Sequence, residues 1–137
     1  MINYKENNVI EVDELKALYD SVGWSAYTDH PEIMQQLLPG AQSYISAWDG
    51  ESLIGLIRTV GDGCYMLYIQ DLLIHPDYQR KGIGTVLIKK ILEDAKGLRQ
   101  ILLSTDHTEK TIRFYRSVGF STMEEMGAVT LTYRGND

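Results

Sequence analysis

The most informative stretch of this 137-residue chain is residues 65–85, which read YMLYIQDLLIHPDYQRKGIGT. Its first ten residues, Tyr65 to Ile74, form the longest apolar run of the chain and contain one charged residue, Asp71. A strand that is apolar on both faces is typical of the centre of a sheet. The pattern therefore predicts a central strand, then a loop from His75 to Lys81, and then a helix from about Gly84 to Lys96.

Shorter apolar runs on both sides of this stretch predict the other elements. Strands are predicted at residues 2–7, 43–48, 53–60, 100–104, 120–123 and 128–133. Helices are predicted after a cap at Asp13, from Pro31 to Leu38, and from Glu109 to Val118 with Asp106 or Thr108 as its cap. Antiparallel strands precede a single strand–helix–strand crossover, which implies an α+β (mixed α/β) fold with one mixed sheet.

The composition limits the class of protein. With 44% apolar and 23% charged residues, we expect one domain spanning residues 1–137. No apolar run approaches the length of a membrane span, and the first residues do not resemble a secretion signal. The single cysteine, Cys64, agrees with a reducing compartment, so we expect a cytoplasmic protein with no membrane partner. The net charge of −6 argues against a nucleic-acid partner.

The turn from Gln79 to Thr85 has the features of an anion site. The first turn of a helix presents backbone N–H groups without internal partners, and the peptide dipoles add positive potential there. Gly82 and Gly84 permit close approach, and two basic residues precede them. The spacing matches neither a P-loop nor a dinucleotide fingerprint, because Leu87 stands where the third glycine would be. A glycine-containing helix start that binds nothing remains the alternative.

Two segments resemble signatures of the GCN5-related N-acetyltransferase (GNAT) superfamily. Residues 72–84, LLIHPDYQRKGIG, resemble its [QR]-x-x-G-x-[GA] pattern after a central strand, and residues 114–120, FYRSVGF, resemble its F-Y-x-x-x-G-F pattern. They flank the predicted strand 100–104 in the order that the family requires. The resemblance implies a central mixed, mostly antiparallel sheet of six to seven strands, flanked by about four helices, with splayed parallel central strands.

The resemblance also implies that acetyl-CoA is a cosubstrate, bound where the two parallel strands splay apart. The implied binding residues are Leu72, Leu73 and Ile74 for the pantetheine arm, and Gln79, Arg80, Lys81, Gly82, Ile83, Gly84 and Thr85 for the pyrophosphate. Thr108 stands where the family often has an asparagine that bonds the coenzyme, and its reach is shorter. We expect no metal, because the histidines are scattered and Cys64 has no neighbouring ligand.

The implied reaction is direct attack of an amine on the acetyl thioester through a tetrahedral intermediate. Tyr115 stands at the family's tyrosine position, where it would protonate the departing thiolate. A backbone N–H near Leu72 would stabilise the oxyanion. The spacing of Tyr115 alone also suits a core residue packed against Ile112 and Val118.

Asp71 is the candidate general base, because burial in an apolar strand is expected to raise the pKa of its carboxyl. The alternative is a structural carboxylate satisfied by backbone or tyrosine hydrogen bonds or by a cation. His30, His75 and His107 are further candidates by their ordinary pKa, although His75 is better placed to cap the loop. Deprotonation by water would need no single base.

Trp24 and Tyr27 are the candidate acceptor-binding residues, since their rings can stack on an aromatic or cationic amine. The acidic charge of residues 1–40 would attract such an amine, whereas aromatic residues that fill the edge of the core are the alternative. We expect a small primary amine as the acceptor. A protein lysine or N-terminal acceptor, and a non-catalytic acyl-CoA-binding or partner-binding module, stay open, as does a homodimer.

Overall fold

The computed structural model describes residues 1–136 and contains two compact units, Met1–Ser104 and a second that begins at Thr105. The first unit contains β1 (Ile2–Glu6), α1 (Val12–Ser21), α2 (Ser25–Thr28), α3 (Pro31–Met34), β2 (Ser43–Asp49), β3 (Ser52–Gly61), β4 (Met66–Ile74), α4 (Ile83–Asp94) and β5 (Gln100–Leu103). The second contains α5 (Glu109–Ser117). Short 3₁₀ helices occupy Pro76–Tyr78, Glu124–Met126 and Arg134–Asn136.

The strands form one sheet in the order β1-β2-β3-β4-β5. The first three pairings are antiparallel and the β4–β5 pairing is parallel. The predicted α+β class with a mixed, mostly antiparallel sheet is therefore confirmed. The sheet has five strands within residues 1–136, which is fewer than the six to seven expected.

Helices cover both faces of the sheet. Leu56 of β3 and Leu73 of β4 pack with Leu15, Leu18 and Tyr19 of α1 in one buried cluster. A Cβ added at Gly55 would instead approach Ile83 of α4, because successive residues of a strand point to opposite faces. On that second face, α4 buries Leu87, Ile88 and Ile91, which recur at helical spacing.

The boundaries of α1 and α3 differ from the sequence prediction. α1 has Glu11 as its N-cap, so Asp13 lies in the first turn rather than at the cap. α3 ends at Met34 instead of Leu38, because the following amides bond three residues back, as in Leu37 N to Met34 O at 3.1 Å. Thr108 does cap α5, as predicted, since its side chain accepts from the amide of Thr111. The one-turn helices α2 and α3 bring the α-helices of the described chain to five rather than four.

The last two predicted strands, 120–123 and 128–133, are wrong for the single chain. Thr122 and Glu125 form reciprocal hydrogen bonds, amide to side chain in each direction, at 3.2 and 3.3 Å. This capping box starts the 3₁₀ helix Glu124–Met126 in place of a strand. Residues 128–133 adopt no regular secondary structure. These residues form no ladder with any strand of the described sheet, and a strand requires such a ladder to satisfy its backbone groups.

Candidate active site

The parallel strands β4 and β5 separate halfway along β4. Their pairing runs from Met66 opposite Gln100 to Ile69 opposite Leu103, where β5 ends. β4 continues to Ile74 and stays paired with β3 on its other side. Within the described chain, residues 70–74 therefore have a strand neighbour on one side only. This arrangement confirms the predicted splaying of the parallel strands and leaves a free backbone edge.

A β-bulge lies where the strands separate. Arg58 of β3 pairs with Asp71, and the next residue, Thr59, pairs with Ile69, so Gln70 is an extra residue in β4. Because Arg58 and Thr59 point to opposite faces, Asp71 and Ile69 do so too. Regular alternation would have put both on one face. The bulge thus separates Ile69 from Asp71, which shares the α1 face of the sheet with Leu73.

The loop after β4 leads into the N-terminus of α4. Arg80 and Gly82 have left-handed backbone conformations, with φ of 63° and 81°, and a Cβ at Gly82 would meet no atom within 4 Å. The first backbone bond of α4 runs from Val86 N to Gly82 O at 3.1 Å. The amides of residues 83–85 consequently have no acceptor inside the helix, and they lie beside the exposed Arg80 and Lys81.

Side-chain bonds fix this loop to the sheet. Tyr78 donates to Asp49 at the end of β2, at 2.5 Å, and this bond raises the pKa of the Tyr78 phenol. The Gln79 side chain donates to the carbonyl of Ile74 at 3.0 Å. His75 Nδ1 accepts from the amide of Asp77 at 3.1 Å, so the side chain of His75 caps the 3₁₀ helix. Hydrogen bonds from the chain's own side chains therefore hold the loop in shape.

Asp71 lies in a buried polar network on the α1 face. Its Oδ1 accepts from Tyr27 at 2.7 Å, and its Oδ2 accepts from Tyr19 at 2.8 Å and from Arg58 Nε at 2.8 Å. The side chains of Asp71 and Arg58 are 3% and 8% exposed. Burial and the carboxylate raise the pKa of Tyr19 above its usual range, and burial with the bond to Asp71 raises that of Tyr27. Both carboxylate oxygens are therefore engaged.

The candidate acceptor residues join this network. Tyr27 and Trp24 are half-buried, and their rings lie 4.9 and 5.9 Å from that of Tyr19, in edge-on contact. Arg58 donates a second bond, from its Nη2 to the Tyr27 hydroxyl at 3.3 Å. Tyr27 thus connects the aromatic cluster to the buried ion pair.

Sequence reasoning missed Arg58 and Tyr19 as partners of Asp71. A signal was present for Arg58, because it is the only charged residue in β3, as Asp71 is in β4. A lone charge inside each of two apolar strands favours an ion pair between them. No comparable signal marks Tyr19, whose spacing matches any core position of α1.

The second unit holds the candidate acid. Tyr115 is half-buried on α5, and its ring lies 5.0 and 5.8 Å from those of Phe114 and Phe120. Burial, with a smaller effect of Asp106, raises the pKa of the Tyr115 phenol. The hydroxyl of Thr108 donates to Thr111 Oγ1 at 2.9 Å while capping α5. Of the remaining candidate bases, His30 and His107 are exposed.

The first-unit features match the shape of an acyl-coenzyme A. A free strand edge can pair with an extended arm that carries amide groups, as a further strand would. Free helix amides beside open space at Gly82 suit a diphosphate. Within residues 1–136, no cluster of three or more histidine, cysteine or carboxylate side chains has metal-binding geometry, and no helix has the length and apolar character to cross a bilayer.

Comparisons with known proteins agree on one family. The model of the acetyltransferase (GNAT) family matches residues 9–120. The solved GNAT family acetyltransferase SP0256 from Streptococcus pneumoniae TIGR4 is 35% identical and superposes with a TM-score of 0.90, covering 100% of both chains. Histone acetyltransferase TAP1 of Glycine max is 29% identical over 90% of this chain. An uncharacterised N-acetyltransferase, ycf52-like, from Prochlorococcus marinus is 30% identical over 90% of it. The chain spans 58% and 69% of the lengths of these two relatives.

Proposed function

We propose that this chain, which belongs to the acetyltransferase (GNAT) family, transfers the acetyl group of acetyl-CoA to a small primary amine. Membership of this family makes the protein an acyltransferase. The observation that carries the proposal is the free edge of β4 at residues 70–74, which leads directly into the open N-terminus of α4. No strand of the described chain pairs with this edge.

The binding residues follow from that geometry. We assign the pantetheine arm to the main chain of Leu72, Leu73 and Ile74, and the pyrophosphate to the amides from Gln79 to Thr85. The acetyl-CoA supplies an activated thioester. Arg80 and Lys81 are exposed beside the amides and strengthen anion binding by their charge. The Gln79 side chain donates to the Ile74 carbonyl at 3.0 Å. This hydrogen bond has to break before the pantetheine arm can bind to that carbonyl.

We assign the acid role to Tyr115, from its position in the second family signature. A tyrosine phenol is protonated at neutral pH, and burial raises the pKa of Tyr115 further, so its proton is available to a departing thiolate. A backbone N–H near Leu72 donates to the developing oxyanion. Thr108 caps α5 with its side-chain oxygen. We propose that the same hydroxyl also forms a hydrogen bond with the coenzyme.

For Asp71 we propose a role that acts through Tyr27. The Tyr27 hydroxyl donates a hydrogen bond to Asp71 Oδ1 and accepts one from Arg58. Its remaining lone pair can therefore only accept a further hydrogen bond. A hydroxyl in this state orients an incoming N–H group. Both oxygens of the Asp71 carboxylate already accept hydrogen bonds from side chains of the protein, so we assign the deprotonation of the amine to water. Asp71 is thus a positioning residue.

Trp24 and Tyr27 make an aromatic acceptor site, which favours an aromatic or alkyl amine. A protein lysine is the second candidate, favoured by the soybean relative whose name is a histone acetyltransferase. We further propose that residues 1–137 act as one domain, since the family match crosses the boundary at Thr105. The exposed thiol of Cys64 favours a reducing compartment, for which we propose the cytoplasm.

The test is thiol release from acetyl-CoA with a panel of primary amines and a lysine-rich histone-tail peptide, and mass spectrometry of the products. We expect acetylation of at least one small amine and none of the peptide. Acetylated peptide without acetylated amines would contradict the acceptor class. Calorimetric binding of acetyl-CoA with no transfer to any acceptor would contradict catalysis and identify a binding module.

A further inference from the structure

The loop between β4 and α4 contains a strained residue. Arg80 has a φ of 63°, and within residues 1–136 Arg80 and Asn7 are the only residues other than glycine with a positive φ. Asparagine tolerates this left-handed conformation, whereas a longer side chain such as arginine disfavours it by roughly 5- to 30-fold in population. Such a conformation persists only where the surrounding contacts hold it. The backbone of Arg80 therefore needs an anchor close by in the chain.

Tyr78 supplies an anchor two residues before Arg80. Its hydroxyl donates to Asp49 Oδ2 at 2.5 Å, and both side chains are half-buried. Asp49 is the last residue of β2, where it pairs with Ile2 of β1 and with Ser52 of β3. A hydrogen bond to a carboxylate is roughly twice as strong as one between neutral groups. The bond thus connects the loop to a position that the sheet fixes.

The ring of Tyr78 also has neighbours from the loop itself. The Lys81 ammonium lies 5.3 Å from the ring centroid, which makes a cation–π contact. The ring of His75 meets that of Tyr78 edge-on at 6.0 Å, and the Tyr78 amide donates to the His75 carbonyl at 2.8 Å. Tyr78 therefore connects both ends of the loop to β2, although it lies outside the residues to which we assign the diphosphate.

We propose that Asp49 and Tyr78 are positioning residues for the diphosphate of acetyl-CoA. This inference rests on the proposed function, because it concerns the coenzyme loop of the same site. The Asp49–Tyr78 bond keeps Arg80 in its left-handed conformation. That conformation holds the amides of residues 83–85 and the side chain of Lys81 where the diphosphate binds. A ligand without a diphosphate gains no affinity from this arrangement.

The population of the strained conformation sets the size of the effect. When the bond is lost, the loop can leave the left-handed conformation at Arg80, and only the remaining fraction of molecules binds the diphosphate. The apparent affinity falls in proportion to that fraction. We therefore expect Tyr78→Phe, which keeps the ring beside Lys81, to bind acetyl-CoA roughly 5- to 30-fold more weakly than wild type.

The experiment compares two ligands by calorimetry. Acetyl-CoA is titrated directly, and pantetheine, which has the arm but no diphosphate, is measured by competition against acetyl-CoA. Wild type should bind acetyl-CoA more tightly than pantetheine. Tyr78→Phe should lose affinity for acetyl-CoA and keep the wild-type affinity for pantetheine. Tyr44→Phe is the matched control, because the Tyr44 hydroxyl also donates at 2.5 Å, to the Asn8 carbonyl in the same unit; it should bind both ligands as wild type does.

A double-mutant cycle tests whether Asp49 and Tyr78 act through their shared bond. Asp49→Ala should weaken acetyl-CoA binding by a factor similar to that of Tyr78→Phe. The double variant should bind no more weakly than either single variant, because the two substitutions remove the same bond. Asp49→Ala also replaces Tyr78→Phe if that variant is not folded by circular dichroism.

Three results would overturn the proposal while leaving the diphosphate site in place. They are unchanged acetyl-CoA affinity in Tyr78→Phe, an equal loss of affinity for pantetheine, and additive losses in the double variant. If wild type binds the two ligands equally tightly, the diphosphate site itself is wrong, and the positioning role is overturned with it.

Discussion

Gly82 provides the sharpest test of the diphosphate site, because the chain contains a matched control for it. Gly82 precedes α4 with φ of 81°, and Gly97 follows the same helix with φ of 91°. A Cβ at either position meets no atom within 4 Å. Alanine therefore imposes the same left-handed strain at both sites, about 1–2 kcal/mol of unfolding free energy, without a steric clash. Urea unfolding should show equal destabilisation of Gly82→Ala and Gly97→Ala.

The two variants should differ in ligand affinity. The new methyl group of Gly82→Ala enters the open space beside the amides of residues 83–85, where we assign the diphosphate. Loss of one charge-assisted amide–phosphate bond costs about 1.5–3 kcal/mol, which corresponds to roughly 10- to 100-fold weaker binding. Calorimetric titration with acetyl-CoA should show this loss for Gly82→Ala and wild-type affinity for Gly97→Ala. Equal affinity of the two variants would refute the assignment of the site.

Three further predictions concern the candidate site and its surroundings. Tyr115→Phe should lower turnover by about 10²–10³ with unchanged acetyl-CoA affinity, as expected for loss of a general acid; unchanged turnover would remove Tyr115 from the mechanism. Arg58→Met should cost about 3–5 kcal/mol of unfolding free energy, since it leaves the buried Asp71 carboxylate without its cation. Tyr27→Phe should cost about 1 kcal/mol of unfolding free energy and should raise the KM for the amine but not for acetyl-CoA. Equal effects on both KM values would contradict the role of Tyr27. Three backbone amides lower the pKa of Asp62 to about 2, so the stability that Asp62 contributes is present above pH 4 and is lost as the pH falls towards 2. Acid unfolding of Asp62→Asn should lack this loss of stability. An acid unfolding profile identical to that of wild type would contradict the contribution of Asp62.

The family, the glycine-containing loop before α4 and most elements could be predicted because their signals are local. An apolar run marks β4, a glycine beside basic residues marks the start of α4, and the threonine before α5 acts as a cap within its own turn. Each signal depends on backbone preferences or on residues three or four positions apart. The tertiary structure changes the ends of such elements by a few residues and leaves their type unchanged.

The role of Asp71 could not be predicted in the same way. Alternation along β4 puts Asp71 on the same face as both Ile69 and Leu73, and only the bulge at Gln70 leaves it with Leu73 on the α1 face and moves Ile69 to the other. Its three partners come from positions 13, 44 and 52 residues away. The lone charges in β3 and β4 favour the pairing of Arg58 with Asp71, but no pattern around Asp71 identifies the two tyrosines that α1 and α2 bring to it.

Sequence by itself determined the central strand, the glycine turn and the helix that follows, since these depend on interactions between near neighbours in the chain. Tertiary structure alone decided where β4 and β5 separate, which tyrosines donate to Asp71, and that residues 128–133 form no strand of the described sheet. The physical reason is the same in each case. Strand pairing and burial of charge depend on partners distant in sequence, and a residue's own propensity does not specify whether such a partner is within reach.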